Sequence, residues 1–358
     1  MNKDNKVEAL MNKLNPFSNI KKVKANITMS MLAVSVVVAC VVGTVCILKS
    51  NEIIIRESKK LIVINAQNES GKIYKDFLKV EKSVDNLSNV VTGSIESKNL
   101  TNSSYMKNYD KLLVVITQEF AKNTDWNMSS YIYFVPDVTK GIYGAWVVYD
   151  PKTDSFKNIP DIAMKNEFKA SNKNFVWYYN AINAKKGVWT NLYLDNDLKT
   201  PMISYSKPIK IKNKISAVIG MDISVENLNR MVKNIKLYKE NECLLIDNNY
   251  NIIANNENYT NKDNLKEIEN GKYKYLIEQS KNKKTGLATY KDDGVEKFAS
   301  YSTLPNGYKL FLSVPVSEVL KAMIELRILL ILIIILVIII VDVFAIGFVN
   351  SLLETDED

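Results

Sequence analysis

The sequence predicts an α+β body held between two membrane-spanning helices, and three observations lead to this fold class. Residues 27–48 form an apolar run without a charged residue, and residues 328–348 form a second run interrupted only by Asp342. Each run reaches the roughly 20 apolar residues that a helix needs to cross the hydrocarbon core. Residues 49–326 between them are polar and alternate helix and strand signals. This arrangement is typical of a membrane sensor or a tethered binding protein, and not of a channel or a cytosolic enzyme.

The distribution of lysines predicts the orientation of the two spans. The first 26 residues carry six lysines, and Lys21, Lys22 and Lys24 lie directly before the first apolar run. Because basic segments stay on the cytoplasmic side, we expect residues 1–26 and the tail 349–358 in the cytoplasm. Residues 49–326 then lie outside the cell membrane. The alternative is a cleaved signal peptide. The length of the run and the lack of a cleavage site with the small-x-small pattern disfavour it.

Composition excludes several function classes. The chain contains no histidine, which removes His-ligated metals and the Ser-His and Cys-His nucleophile pairs. Cys40 and Cys46 lie in the first span and Cys243 stands alone outside it, so the body has no disulfide framework. The net charge of +8 comes from dispersed lysines, which is typical of a solvated surface and not of nucleic-acid binding. We therefore expect no enzymatic activity, metal, cofactor or nucleic-acid partner.

Residues 49–104 are predicted to form a long helix and a linker outside the first span. Apolar residues recur at intervals of four and three, which is a heptad spacing. They are Ile73, Phe77, Val80, Val84, Leu87 and Val91. Two interpretations remain open at this point: the helix lies along its own domain, or this seam packs against a second copy in a homodimer. Under either, the helix continues from the membrane span.

Residues 105–230 are predicted to form a first, membrane-distal module. A helix at 105–123 is followed by strands at 129–138 and 142–153, which are rich in aromatic and β-branched residues. A hairpin with an Asn213-Lys214 turn closes the module. The tryptophans all fall in this segment, at positions 126, 146, 177 and 189.

Residues 231–318 are predicted to form a second, membrane-proximal module. One hairpin has a polar turn at residues 247–249, a second turns at Asp293-Gly294, and a last strand follows at 307–315. Residues 319–327 continue as an exit helix into the second span at 328–348. Two antiparallel sheets with helices to one side imply an α+β architecture that is repeated twice.

An ordered set of residues between positions 177 and 223 resembles the double Cache sensor domains of bacterial chemotaxis receptors and membrane histidine kinases. The matching residues are Trp177-Tyr178 with Ala181, Trp189-Thr190, Tyr193-x-Asp195, Thr200, Pro208 and Gly220-x-Asp222-Ile223. The resemblance implies two PAS-like modules on a long N-terminal helix, with a small ligand bound in the distal module. It also implies chemosensory signalling through the second span.

The resemblance carries a candidate binding site. In amino-acid-binding members, an arginine two residues before the Trp-Tyr pair holds the ligand carboxylate, and two aspartates hold the ammonium. Trp177, Tyr178, Asp195 and Asp222 match that pattern, but Phe175 stands at the arginine position. A phenyl ring cannot replace a guanidinium fork for carboxylate binding. The remaining acids and rings favour an amine or another cation, with an amino acid as the alternative.

Further candidates complete the proposed pocket, and each has a structural alternative. Tyr193 belongs to the matching pattern, and Trp146 and Tyr149 lie on a neighbouring strand that could supply its wall. Trp177 and Trp189 have core packing as their alternative; the matching pattern favours the pocket for Trp177 and a structural role for Trp189. Asp195 can be a turn residue. Asp222 follows an apolar run, where a charge without a role is costly, and this favours a function.

Other function classes remain open on the sequence alone. A paired-carboxylate hydrolase would use the same two acids, and an adhesive tether would need no ligand. The sensor part of a histidine kinase or cyclase system is a further alternative. Because the chain ends ten residues after the second run, at Asp358, we expect either a truncated receptor or one that acts through a membrane or cytoplasmic partner. Asp342, an acid within the second span, is a functional candidate by default, with snorkelling or a helix-pair contact as alternatives.

Overall fold

The computed structural model describes residues 16–159, 172, 175–256, 263–268 and 273–354. The ends of the predicted cytoplasmic segments, residues 1–15 and 355–358, lie outside them. The chain divides into two compact units, Met1–Ser58 with Ser317–Asp358 and Lys59–Val316, which are described separately. The described helices are α1 (Pro16–Ser94), α2 (Ser103–Lys122), α3 (Pro136–Thr139), α4 (Val176–Ala184), α5 (Val225–Lys233), α6 (Lys274–Asn282) and α7 (Val316–Glu354). The described strands are β1 (Ser129–Phe134), β2 (Gly144–Asp150), β3 (Ser155–Asn158), β4 (Val188–Trp189), β5 (Tyr193–Asp195), β6 (Thr200–Ile211), β7 (Lys214–Ser224), β8 (Glu242–Ile246), β9 (Ile252–Asn255), β10 (Thr285–Asp292), β11 (Val295–Thr303) and β12 (Lys309–Pro315).

The first unit contains the two apolar segments. Helices α1 and α7 each include a stretch that is long and apolar enough to cross a membrane. Within this unit the Ser35 hydroxyl donates a hydrogen bond to Oδ1 of Asp342, at 2.7 Å. A Cβ atom on Gly43 would lie 2.6 Å from Cδ1 of Ile334, so glycine allows the two helices to approach closely. The structure therefore favours the helix-pair contact over snorkelling for Asp342.

The distal sheet has seven antiparallel strands in the order β3-β2-β1-β7-β6-β4, with β5 also paired to β6. The predicted first strand is shorter than expected, because Pro136 begins α3 directly after it. The β6–β7 hairpin turns at Lys212-Asn213, one residue earlier than predicted. Both residues have positive φ, 49° and 63°, as a two-residue turn requires when it follows the strand twist.

The proximal sheet has five antiparallel strands in the order β10-β11-β12-β8-β9. The predicted turn at Asp293-Gly294 is confirmed, since β10 ends at Asp292 and β11 begins at Val295. Both turn residues again have positive φ, 47° and 81°, which Asp-Gly accommodates well. In each sheet the first strand of the module pairs with the last, so β1 lies beside β7 and β8 lies beside β12.

The part of α1 that belongs to the second unit packs against both sheets in one hydrophobic core. Its predicted heptad residues are between 0% and 4% exposed within a single chain. The Phe77 ring shows how the two modules meet, since its centroid lies 4.8 Å from that of Trp189 and 5.9 Å from that of Tyr308. Because these side chains are already buried, the interpretation of the seam as a dimer contact is wrong. The helix lies along its own domain.

Candidate functional site

The candidate site lies on the face of the distal sheet opposite to α1. Strand alternation sends Ile219 and Met221 of β7 into the core beneath α1, and therefore sends Gly220 and Asp222 to the other face. The register places Ser129 of β1 and Ser204 of β6 on either side of Asp222. Three neighbouring strands thus bring one carboxyl and two hydroxyl groups into a single row across the middle of the sheet.

Asp222 is the buried acid of this row, with 3% of its surface exposed. The Ser204 hydroxyl donates to its Oδ1 atom at 2.6 Å, and the Ser129 hydroxyl donates to its Oδ2 atom. Burial raises the pKa of Asp222 to about 7, although both serine hydroxyls oppose the rise, and the nearby charge of Asp195 adds to it. This carboxyl can therefore change its ionisation state near neutral pH.

Asp195 is the second acid, at the end of β5, and is 7% exposed. The backbone N–H groups of Asp197 and Leu198 donate to its Oδ1 atom at 3.0 and 2.8 Å, which is an Asx turn. The turn interpretation of Asp195 is therefore correct for one oxygen. Burial raises the pKa of Asp195, against the effect of the two N–H donors. Oδ2 accepts no hydrogen bond from the described part of the chain.

Neither carboxyl has a cationic partner among the residues that the structure describes. No lysine or arginine nitrogen of that set lies within the 4.0 Å of an ion pair with Asp195 or Asp222. Nor do the described cysteines, aspartates and glutamates form a group that could hold a metal ion. Beyond the effect of burial, the negative charge of Asp195 raises the pKa of Asp222, whereas the pKa of Asp195 is raised by the charge of Asp197 and lowered by that of Lys199.

A cluster of aromatic rings lies on the same side of the sheet as the two acids. Trp177 on α4 lies with its ring centroid 4.1 Å from that of Tyr131, 5.9 Å from Phe175 and 5.6 Å from Tyr178. Trp146 on β2 belongs to the same buried cluster. These rings and the row of acid and serine side chains lie on one face of the sheet.

Tyr193 of β5 joins the polar row directly. Its hydroxyl lies 2.7 Å from the Ser204 hydroxyl, which itself bonds Asp222. Burial and then the negative charge of Asp222 raise the pKa of Tyr193 well above its ordinary value. The tyrosine therefore stays neutral and is available as a hydrogen-bond donor or acceptor.

Two aromatic residues that the sequence brought forward lie elsewhere. Tyr149 was expected in the pocket wall, but this expectation is wrong. Val148 pairs with Ser129 and shares the face of the site, so the next residue, Tyr149, points to the opposite face, where its hydroxyl donates to Asp154. Trp189 packs on Phe77 in the other core, and its Nε1–H donates to Oε1 of Glu81 at 2.8 Å. The structural interpretation of Trp189 therefore agrees with the geometry.

Sequence reasoning missed the hydroxyl groups of the site. Besides Ser129 and Ser204, the next row holds Tyr131, whose hydroxyl lies 2.8 Å from that of Ser206. The Tyr131 ring lies over Gly220, where a Cβ atom would come within 2.6 Å of its Cζ atom. The sequence does show small polar and large residues alternating along β1 and β6. This pattern does not say which residues are neighbours, because that depends on the register between the strands.

The polar row is bonded to the proximal module. Thr190 and Ser204 exchange two hydrogen bonds of 2.9 Å: the Thr190 N–H donates to the Ser204 carbonyl, and the Ser204 N–H donates to the Thr190 hydroxyl. The Tyr308 hydroxyl, at the base of β12, donates to the Thr190 carbonyl at 2.6 Å. Asp222, Ser204, Thr190 and Tyr308 thus form one continuous chain of hydrogen bonds.

Comparison with known proteins relates this geometry to a family. The family model of the Cache domain (dCache_1) matches residues 51–323. Comparison with curated protein sequences finds no match. The ligand-binding domain of the Campylobacter jejuni chemoreceptor Tlp3 in complex with L-norvaline is 17% identical, over 74% of this chain and 94% of that one, with a TM-score of 0.54.

Two further solved structures share the fold. The periplasmic sensory domain of the Campylobacter jejuni chemoreceptor Tlp1 is 14% identical, over 75% of this chain and 98% of that one, with a TM-score of 0.58. The extracellular domain of the proposed histidine kinase mmHK1S-Z3 is 15% identical, over 77% of this chain and 99% of that one, with a TM-score of 0.58. At these identities the likeness concerns the fold alone.

Proposed function

Since this chain belongs to the Cache domain family, we propose that it is a two-span membrane receptor that senses a small extracellular cation. The ligand is an amine without a carboxylate, bound in the distal module between the two acids and the aromatic rings. Residues 49–326 lie outside the cell, and the signal leaves through the second span to a chemotaxis or kinase partner. The tests below address the ligand and its site.

The observation that carries this proposal is a pair of buried acids, neither of which forms an ion pair with a lysine or arginine of the described residues. An ionised carboxylate taken out of water loses several kcal/mol of hydration unless a cation or enough hydrogen bonds replace the water. Asp222 receives two serine hydroxyl groups, and Asp195 receives two backbone N–H groups at one oxygen only. A ligand ammonium group would supply the missing positive charge and up to three further donors.

The rings around the acids suit the same ligand. The face of an aromatic ring attracts a cation by about 0.5 to 2 kcal/mol, most strongly where water is excluded. Trp177 is 7% exposed and Tyr131 is 2% exposed, so this attraction acts in a site that is shielded from water. The apolar part of an amine would lie against the same rings.

Phe175 argues against a carboxylate on the ligand. Its ring is 8% exposed and lies within the aromatic cluster. A carboxylate there would meet a phenyl ring in place of two parallel N–H donors, and it would also lie near two like charges. We therefore expect an amino acid to bind more weakly than the amine formed by removing its carboxyl group.

A route from the site to the proximal module supports a sensing role. A ligand that draws Asp222 toward its ammonium group would shift the Ser204 hydroxyl, and Ser204 is bonded to Thr190 through two hydrogen bonds. The Thr190 carbonyl accepts from Tyr308 of the proximal module. Such paths of paired hydrogen bonds are the physical elements that can carry a small displacement between sites.

The proposal is tested with the full chain in lipid nanodiscs, titrated with each amino acid and its decarboxylated amine. Binding is followed by calorimetry and by tryptophan fluorescence, since Trp177 lies in the site. We expect at least one amine to bind, its paired amino acid to bind at least about tenfold more weakly, and Asp222→Asn to weaken the amine about 100-fold or more. Asp197→Asn is the matched control: it removes an exposed charge that acts on Asp195 from the same turn, and it should weaken the amine far less than Asp222→Asn does.

The pH dependence of binding provides a second readout. Because the ligand binds the ionised form of Asp222, whose pKa lies at about 7, its affinity should fall about tenfold for each pH unit below 7. If amino acids and amines bound equally well, the claim that the ligand has no carboxylate would be wrong. Amine binding that survives Asp222→Asn would overturn the site, and silence across all amines would overturn the ligand class.

A further inference from the structure

A second buried acid lies in the proximal module, at the position of the sheet that corresponds to the distal site. In both sheets the first strand of the module pairs with the last. In the distal sheet that pair brings Ser129 of β1 opposite Asp222 of β7. In the proximal sheet it brings Glu242 of β8 opposite Ser313 of β12. Each module thus has one acid and one serine in the same cross-strand pair, with the two strands exchanged.

The hydrogen bonding within the two pairs is also alike. The Ser313 hydroxyl donates to Oε2 of Glu242 at 3.0 Å, as the Ser129 hydroxyl donates to Asp222. Glu242 is 3% exposed. Its Oε1 atom accepts from the Tyr273 hydroxyl at 2.7 Å, and its Oε2 atom accepts from the Tyr290 hydroxyl at 3.3 Å. A buried carboxylate beside aromatic rings is therefore common to both modules.

The modules differ in the source of positive charge. Lys297 of β11 places its Nζ atom 3.3 Å from Oε2 of Glu242 and 2.7 Å from Oδ2 of Asp292. Its side chain is 16% exposed. Burial lowers the pKa of Lys297, but the hydrogen bond to Asp292 and the charge of Glu242 together raise it above its ordinary value. The lysine therefore remains an ammonium ion in this setting.

Glu242 also borders a small cavity, which is lined in addition by Leu244, Tyr273, Phe311 and Ser313. This cavity has room for about one water molecule and is too small for an alkylamine.

We propose that the proximal module contains a second ammonium-binding site, formed by the carboxylates of Glu242 and Asp292 with Tyr273, Tyr290 and Ser313, and that Lys297 occupies it as a ligand supplied by the chain. Shortening Lys297 opens the site to a small primary alkylammonium ion. The inference goes beyond the proposed function, because it concerns a different module and rests on contacts that do not involve the distal site.

The test replaces Lys297 by alanine in the full chain, in lipid nanodiscs. This removes three methylene carbons and the ammonium group, which together match n-propylammonium. Every variant also carries Asp222→Asn, so that the distal site does not contribute to amine binding. The midpoint of thermal unfolding is then measured with n-propylammonium chloride, with n-propanol and with sodium chloride at equal concentrations.

We expect Lys297→Ala to lower the midpoint and n-propylammonium to raise it again, by roughly 2 to 4 °C for each tenfold increase above the dissociation constant. Neither n-propanol nor sodium chloride should do so, and the chain with Lys297 intact should not respond. Adding Glu242→Gln should weaken the rescue at least about tenfold, because it removes one of the two carboxylates that hold the ammonium group and leaves only Asp292. Equal rescue by n-propanol, or rescue that Glu242→Gln leaves undiminished, would overturn the proposal.

A second comparison covers the case in which Lys297→Ala does not fold. Lys297→Met keeps the volume of the side chain but leaves Glu242 without its cation. Lys297→Met should therefore unfold at a lower temperature than the same variant combined with Glu242→Gln. Should Lys297→Met alone be as stable as the parent chain, Glu242 would have no need of an ammonium group and the proposal would be wrong.

Discussion

Replacing Asp222 by asparagine should change how the stability of the protein depends on pH. The pKa of Asp222 rises from an ordinary 3.8 to about 7 in the folded protein, because the carboxyl is buried. Between these two pH values the folded chain keeps a proton that the unfolded chain has released, so this contribution to stability is complete below pH 3.8 and is lost as pH rises to about 7. At about 1.4 kcal/mol for each tenfold change in proton concentration, the loss is on the order of 4 kcal/mol.

Asparagine carries no charge at either pH, and the two serine hydroxyl groups can donate to its oxygen or accept from its nitrogen. The variant should therefore gain stability relative to the parent chain as pH rises from 4 to 8, by on the order of 4 kcal/mol, or roughly 10 °C in the unfolding midpoint. The assay is thermal unfolding of the full chain in nanodiscs, at half-unit steps of pH and without ligand.

The matched control is Asp197→Asn, which removes an exposed acid from the turn after β5. Its difference from the parent chain should stay within about 0.5 kcal/mol across the same pH range. An Asp222→Asn difference that is equally flat from pH 4 to pH 8 would refute the reasoning, because it would mean that the buried carboxyl titrates as an exposed one does.

Two further substitutions test contacts around the site. Tyr308→Phe removes the hydroxyl that donates to the buried Thr190 carbonyl, so it should destabilise the chain by about 1 to 3 kcal/mol; an unchanged midpoint of denaturant unfolding would contradict this. Gly220→Ala should displace the Tyr131 ring, since its Cβ atom would come within 2.6 Å of Cζ; we expect a loss of about 1 to 3 kcal/mol and weaker amine binding in calorimetry. Gly93→Ala, at a helical position with open space around the new Cβ, should instead be neutral or stabilising.

Much of the fold could be predicted from the sequence, because its strongest determinants are local. Alternating residues and an Asp-Gly pair predicted the β10–β11 hairpin with its turn at the right place. The turn before β7 was predicted one residue too late. Lys212 has a positive φ, and lysine is not a residue type that indicates this conformation in a sequence. The use of the α1 seam could not be decided locally, because heptad spacing describes an apolar face and not the partner that covers it.

The candidate site was harder to predict, because it depends on contacts across strands. The resemblance to Cache domains singled out Trp177 and Asp222 as candidate site residues. The family match confirms the resemblance itself. The serines beside Asp222 come from strands 93 and 18 positions away, and a shift of one residue in either register would turn them to the other face. Tyr149 shows the same effect in reverse: it lies within three residues of Trp146, but strand alternation sends it away from the cluster.

The two modules place an acid and a serine in the same cross-strand pair, and they differ in where the positive charge comes from. Glu242 has the Nζ atom of Lys297 at 3.3 Å, so its charge is balanced within the module. Asp222 has no such partner among the described residues, so burial destabilises its ionised form. Ligand binding can shift a conformational equilibrium only by as much as it favours one state over the other. A cationic ligand adds little stabilisation to a carboxylate whose charge is already balanced. It adds the most to a buried carboxyl that has no cation beside it. Under the proposed function, this difference assigns the response to the distal module and transmission to the proximal module.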